Sequence, residues 1–469
     1  MKKSYILIFL MLYIGIAKAQ ITDILNFNGA KGANPYGALT YAGTGSEVFG
    51  MTFAGGTGLG NIFSIDTNGT HFKTLNNFNG AVGWGPYGSL VLSGHKLYGM
   101  TYEAGANGWG IVFSIDSNGT GLKDLYNFNY GAYPYGSLIL SGGSLFGMSA
   151  EYGSGEGPCN FGNIFRIDTN GNNYKDIYEF TGIKGWFPKG DLTIIGTKLY
   201  GMTRWGGTRA ITCNNGTFGN IFSIDSTGTG YKDLHDFNDT LGADPEGNLT
   251  LVRNKFYGMT YQGGANDSGC IFSIDTNGTN FKDLHDFKTI SGSMPYGSLI
   301  LSGGLLYGTA TLGGVNDSGC VFSIDTNGTS YKDIFDFNGA NGKTPYGNLT
   351  IIGNVLYGMT TYGGSSNKGV VFGLKGIGLG INEINLTQAS IKLYPNPNNG
   401  VFNLEVIGEK VRVNNVVEVY NMLGEKVYTT KLNSSNTKLD LSDKTSGIYL
   451  YRMLTETGNL VSTGRFIIQ

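Results

Sequence analysis

The fold class predicted for this chain is all-β: a seven-bladed β-propeller with four strands per blade, then a small Ig-like β-sandwich. Three observations predict it. A phrase of about fifty residues recurs seven times, and a fixed period of that length means one supersecondary unit copied and stacked. Each copy divides into four strand-length runs separated by turn residues, the make-up of a propeller blade. The last copy stops one run short, and the chain opens with that missing run.

The runs follow one another in fixed order. The first comes after Pro-Tyr-Gly, as Leu299-Ile300-Leu301 follows Pro295-Tyr296-Gly297. The second is Leu-Tyr-Gly-Met-Thr, at Leu97 to Thr101, Leu199 to Thr203 and Leu356 to Thr360. The third is Ile-Phe-Ser-Ile-Asp, at Ile62 to Asp66 and Ile221 to Asp225. The fourth is Lys-Asp-Leu-x-x-Phe, at Lys123 to Phe128 and Lys232 to Phe237. All are rich in β-formers. The Asp66 to Thr70 and Asp275 to Thr279 junctions read as hairpin turns in which Asn-Gly supplies positive φ, rather than as calcium loops or glycosylation sites.

The phase of the ends predicts ring closure. Asp23 to Phe27 is a fourth-strand run, and Val370-Val371-Phe372 is a third-strand run with no fourth strand after it. The N-terminal strand is therefore expected to complete the last blade, since an open array would leave two unpaired edges. Composition agrees: 78 Gly, 13% aromatic and only 14% charged residues suit short strands and tight turns.

Residues 1–19 read as a secretory signal: Lys2 and Lys3, an apolar run from Ile6 to Ile16, and Ala17-Lys18-Ala19 as the cleavage site. Cleavage before Gln20 leaves 29 Lys+Arg against 34 Asp+Glu, a formal charge of −5. That balance, with no basic run, excludes phosphate-backbone binding, so no nucleic-acid partner is expected. Cys159 and Cys213 occupy matching places in the two longest loops, and an oxidising destination permits a disulfide between them. Cys270 and Cys320 share one repeat position and read as small buried apolar residues, too far apart to bridge.

The propeller is expected to span residues 20–375. Over residues 22 to about 375 the Tyr-Gly-Met-Thr, Gly-Gly, Gly-x-Val/Ile-Phe and Pro-x-Gly-x-Leu landmarks resemble the GloVer tandem repeat of secreted bacterial proteins, and their order is similar to that of kelch blades. The resemblance implies a propeller-like array on the cell surface and no particular activity. Residues 376–390 read as a linker, after which the period disappears and short alternating strands begin, at Val401 to Val406, Val416 to Asn421, Lys426 to Lys431 and Ile448 to Leu454. Within residues 391–469, Tyr394-Pro395-Asn396-Pro397, Gly400-Val401-Phe402, Val419 to Gly424, Gly447-Ile448-Tyr449 and Arg465 to Ile468 look like a type A sorting domain of the type IX secretion system. This resemblance implies a Bacteroidetes source and the secretion translocon and its sorting peptidase as partners. It further implies export across the outer membrane, and release or attachment to surface lipopolysaccharide.

In a four-stranded blade the loops between strands 2 and 3, and those between blades, emerge on one face. Here that face carries the variation. From the Tyr-Gly glycine to the third-strand Phe most copies span 13 or 14 residues, but Gly147 to Phe165 spans 18 and Gly201 to Phe222 spans 21. All four tryptophans map there: Trp84 and Trp186 between blades, Trp109 and Trp205 between strands 2 and 3. Tyr follows the Pro at Tyr36, Tyr87, Tyr135, Tyr296 and Tyr346, whereas Lys189 and Glu246 stand at this position in copies four and five. Asp191 replaces the usual Ala, Ser or Asn. These departures mark a binding site at the channel mouth, or else drift, or a Lys189–Glu246 salt bridge at the rim. With Arg204, they outline a surface for stacking a sugar ring or gripping a peptide, hence a glycan or protein ligand. No Cys/His cluster has metal spacing, no nucleophile elbow is present and no cofactor is implied. Glu246 with Asp191 remains the one carboxylate pair on which a polysaccharide lyase or hydrolase could rest, and a purely structural surface role is the third reading.

Overall fold

The computed structural model describes residues 19–129, 131–151, 161–207, 218–377, 390–407, 415–421, 425–432, 434, 436–454 and 460–469. The signal sequence apart from Ala19, Cys159, Cys213, Gly424 and most of the linker lie outside the described residues. Two compact units divide at Gly380/Ile381.

The first unit is the propeller. Seven four-stranded antiparallel sheets follow one another, and blade 4 (Thr193–Ile195, Lys198–Thr203, Asn220–Asp225, Lys232–Asp236) is typical. Gln20–Asn26 pairs antiparallel with Val370–Lys375 and so becomes the outer strand of blade 7. Blade 7 also meets blade 1 as other neighbours meet: Thr350 Oγ1 donates to Leu39 O at 2.6 Å, matching Thr40 to Leu90 O at 2.7 Å and Thr193 to Leu249 O at 2.7 Å. The ring closes with the N-terminal strand in its last blade.

Two glycine positions are dictated by space. A Cβ on the Tyr-Gly-Met glycine would meet the ring of the third-strand Phe, at 2.5 Å for Gly50 and Phe63 and 2.6 Å for Gly201 and Phe222. That Phe fills the space the glycine leaves, and it is fully buried in every blade. The Pro-x-Gly glycines form a closed seven-membered ring about the axis. A Cβ on Gly37 would lie 2.3 Å from Gly88 O, one on Gly88 2.2 Å from Gly136 O, and one on Gly347 2.2 Å from Gly37 O. Only glycine lets seven inner strands approach this closely.

The fourth strand carries a one-residue bulge at the same place in each blade; in blade 1 the ladder passes from Ile62↔Asn76 to Phe63↔Thr74. The skipped Leu75 turns inward, as do Leu125, Ile177 and Leu234, all buried. The turns between strands 3 and 4 differ from the expected Asn-Gly pair. Only the glycine is left-handed (Gly69, φ 87°), while Asn68 Oδ1 accepts the Thr70 amide at 3.0 Å. The wider turn uses Asn for its side-chain acceptor, not for its backbone. Cys270 and Cys320 are free and fully buried, as expected.

The second unit packs a three-stranded sheet (Ser390–Tyr394, Val401–Ile407, Asn436–Asp440) and a four-stranded one (Lys426–Lys431, Val416–Tyr420, Gly447–Leu454, Leu460–Ile468). Their shared core includes Phe402, Leu404, Val417, Val419, Tyr449, Met453 and Phe466. The Tyr-Pro-Asn-Pro motif clasps the final strand: Asn396 Oδ1 accepts the Ile467 amide at 3.0 Å, and Asn398 N donates to Ile467 O at 2.9 Å. Tyr394 takes a bond from Asn436 at 3.2 Å. Gly400 is left-handed (φ 92°) against Ser442, and Tyr449 OH donates to Thr445 O. Nothing in the structure requires glycine at Gly447.

Candidate binding site on the long-loop face

The residue before each inner-strand proline adopts positive φ in all seven blades: Asn34, Gly85, Tyr133, Phe187, Asp244, Met294 and Thr344. Its backbone is engaged on both sides; Phe187 N donates to Phe161 O, and Phe187 O accepts the Arg204 amide. This repeated strained corner zips each inter-blade loop to the following loop between strands 2 and 3. Trp84 is so paired with Glu103, and Trp186 with Trp205 (2.7 and 3.0 Å).

The pairing brings aromatic rings together. Trp186 lies 5.1 Å from Trp205, Phe187 4.8 Å from Trp205, and Phe161 6.0 Å from Trp186. Trp109 meets Tyr133 edge-on at 5.3 Å, and Tyr133 meets Tyr102 at 4.9 Å. The four tryptophans are half-buried rather than standing free in solvent, each ring lying against an aromatic neighbour.

At the axis the five tyrosines form a continuous collar, Tyr296–Tyr346–Tyr36–Tyr87–Tyr135, with centroid spacings of 4.6 to 5.1 Å. Blades 4 and 5 break it with charge. The Lys189 ammonium stands 4.9 Å from the Tyr135 ring centre and 5.6 Å from that of Tyr296, so it bridges the gap by cation–π contact. Lys189 Nζ is 3.1 Å from Glu246 Oε2, and Arg204 Nε is 3.1 Å from both Glu246 Oε1 and Asp244 Oδ2. The Arg204 guanidinium also lies over Trp205, at 4.6 Å. Glu246 is almost fully buried, its side chain 2% exposed. Burial pushes Lys189 down and Glu246 up, against the attraction each exerts on the other. Arg204 keeps its charge under the pull of both carboxylates. The quartet carries two charges of each sign and is neutral.

The sequence-derived site residues thus divide. Trp186, Trp205, Arg204, Lys189, Glu246, Tyr135 and Tyr296 form one assembly. Trp109 stands over blade 2 beside Tyr133, and Trp84 is 6.3 Å from Phe53. Asp191 lies deeper, accepting the Ser137 amide at 2.5 Å inside the axial cavity. Phe187 and Asp244 were missed by the sequence reading; the signal was available, since both precede an inner-strand proline. The Lys189–Glu246 salt bridge weighed from sequence is present, extended by Arg204 and Asp244 into a quartet.

No curated protein matches the chain. Solved structures similar to it include an oligogalacturonate lyase from Vibrio parahaemolyticus (8% identity, 76% of this chain and 93% of that one, TM-score 0.45). The β-propeller domain of the Trilobed protease from Pyrococcus furiosus is similar at 11% identity (64% and 84%, TM-score 0.42). A GH74 xyloglucanase from Xanthomonas campestris matches at 11% identity and TM-score 0.46, over 75% of this chain and 55% of its own length. The likeness is one of strand arrangement and carries no activity over. Residues 392–469 match the secretion system C-terminal sorting domain; the chain is a client of the type IX secretion machinery, exported to be secreted or held at the cell surface. Residues 12–218 and 210–379 match the Gloeobacter/Verrucomicrobia repeat, and with most of its length so matched the chain belongs to that family.

Proposed function

We propose that this secreted or surface propeller is a binding module that takes a neutral glycan on the long-loop face, over blades 2 to 5. The observation that carries the reading is the half-buried aromatic surface of Trp186, Trp205 and Trp109, backed by the buried Phe187, around a charge quartet that cancels itself. Aromatic faces stack on the C–H faces of sugars, and the collar hydroxyls supply directional polar contacts. With every charge paired, nothing in the assembly selects for an ionic ligand.

Catalysis on Glu246 and Asp191 is disfavoured by space and by pairing. The axial cavity they both line has a volume of about 50 Å³, room for one or two waters and not for a sugar ring. Both Glu246 oxygens face cations, which opposes proton transfer at pH 7. The test is a glycan array followed by calorimetry on the full chain. Trp186→Ala with Trp205→Ala is expected to weaken binding of the captured glycan tenfold or more, with the far-UV spectrum unchanged. Alanine at Trp186, Trp205 and Lys189 together leaving affinity intact would overturn the assignment.

A further inference from the structure

Below the tyrosine collar and the glycine ring lies a third ring, built by the residue two positions after each collar residue: Ala38, Ser89, Ser137, Asp191, Asn248, Ser298 and Asn348. Six of the seven carry side-chain oxygen, and all six line the axial cavity. Hydrogen bonds fix those oxygens in a rotary sense. Ser89 Oγ accepts the Ala38 amide at 2.8 Å and Ser137 Oγ the Ser89 amide at 2.8 Å. Asp191 Oδ1 accepts the Ser137 amide, and Asn348 Oδ1 the Ser298 amide at 2.6 Å. With Asn248 N donating to Ser298 Oγ at 2.8 Å, five of the seven blades hand an amide to the next blade's oxygen. Asn248 Oδ1 is taken by Ser298 Oγ and Asn348 Nδ2, while the oxygens of Ser89, Ser137 and Asp191 keep lone pairs that no other blade uses among the described residues.

The charge of this ring is not balanced from within. Asp191 is its only ionisable member and makes no ion pair among the described residues, whereas Lys189 and Glu246, which line the same cavity, are paired with each other, and every charge of the quartet is paired. Burial pushes the Asp191 carboxyl up, against the Ser137 hydrogen bonds that favour the anion. Asp191 is half-buried, and a carboxylate drawn out of bulk water without a counter-charge is costly; a bound cation is one way to relieve it. One carboxylate with neutral hydroxyl and amide oxygens is the hard donor set of calcium rather than of a transition metal. The cavity, about 50 Å³, has room for one such ion and a water.

We infer that the axial oxygen ring is a calcium site with Asp191 as its single charged ligand. A lone carboxylate places its affinity at the weak end, about 10⁻⁴–10⁻³ M, the range of extracellular modules. The site shares the axial cavity with the collar tyrosines, Lys189 and Glu246 but not with the tryptophans, and calcium binding is read without any glycan present.

The test uses the full chain stripped with EDTA and then given calcium, magnesium or sodium. Millimolar calcium is expected to raise the melting temperature by a few degrees through mass action. Terbium, a luminescent stand-in for calcium, is expected to emit on excitation of the collar tyrosines and to be displaced by calcium. Asp191→Ser and Asp191→Asn install residues that other blades carry at this position, so both keep the acceptor for the Ser137 amide; both are expected to lose the calcium shift and the terbium emission. Coincident melting of the stripped and calcium-loaded chain would overturn the inference. So would Asp191 variants that keep the shift or the emission, or sodium or magnesium giving the same shift as calcium.

Discussion

Glu246 holds two partly buried cations in place with one buried carboxylate, and its replacement separates two physical effects. Glu246→Gln leaves Lys189 and Arg204 beside a neutral amide, with Asp244 as the remaining anion of the quartet. Breaking a buried pair from one side costs about 3–5 kcal/mol, because the partner stays buried and charged. The double variant Lys189→Tyr/Glu246→Tyr removes both partners and restores at blades 4 and 5 the residue present in the other five. It is expected to be near wild-type in stability, since replacing a buried pair with packed apolar groups is often neutral. Urea denaturation of the two variants checks this, and equal destabilisation would show that the pair is not the source of the effect. These same residues show how far the sequence could be read. The breaks at Lys189 and Glu246 were visible against a repeated background, and so was the salt bridge. That Arg204 joins them, from a loop between strands 2 and 3, depends on the strained corner at Phe187, which the sequence marks only by its place before Pro188.

The fourth strands carry the molecule's pH dependence, and two opposing effects lie on them. Asp333 is pushed up to about 7 by burial, with Asp336 adding repulsion; Asp233 and Asp283 are pushed up to about 6 in the same way. A carboxyl raised above its unfolded value stabilises the fold fully below 3.8, and that contribution is lost progressively as pH rises from there through the folded value of 6 to 7. His235 moves oppositely: burial lowers it from 6.5 to about 4, so its contribution is lost as pH falls from 6.5 towards 4. Asp333→Asn is therefore expected to gain on wild-type in melting temperature steadily from pH 4 to pH 7 and to hold that gain at pH 8, and a constant difference across that range would refute the assignment. In sequence these strands read as charged outer edges. The stacking of His235 on Phe281 at 3.8 Å and 8°, and the bulge that buries Leu234, are inter-blade and register properties that alternation within one strand cannot reveal. The sorting domain makes the complementary case. Its Tyr-Pro-Asn-Pro run was legible as a motif, but its physical task was not: Asn396 and Asn398 fasten the last strand from seventy residues away. Asn396→Ala removes the side-chain acceptor for the exposed amide of Ile467, a loss of about 0.5–1.5 kcal/mol. Faster amide exchange confined to residues 464–469 is the expected signature, and unchanged protection there would show that Asn396 is not the fastener.

At the scale of the whole ring, closure rests on one strand drawn from the far end of the chain. Gln20–Asn26 pairs with Val370–Lys375 along its whole length, and Leu25 and Phe27 are buried at the junction of blades 7 and 1. The missing phrase at the end of the repeat made this legible, because a propeller cannot leave a third strand as its outer edge without exposing an unpaired backbone. Removing residues 20–27 takes away both the ladder and the Phe27 ring, which sits 5.5 Å from Phe63. The edge so uncovered, Val370 to Leu374, is apolar except for Gly373, and is fully buried at its valines, Phe372 and Leu374. Such an edge pairs with another chain in preference to solvent. The truncated protein is expected to melt lower and to elute as dimers or larger species in gel filtration. A peptide of residues 20–28 added in excess is expected to restore the monomer, because it supplies the same strand without the covalent link and loses only the effective concentration that the link confers. Monomeric elution of the truncated chain at wild-type melting temperature would show that the ring holds without its N-terminal strand. The inter-blade bonds, above all Thr350 to Leu39, would then be the true closure.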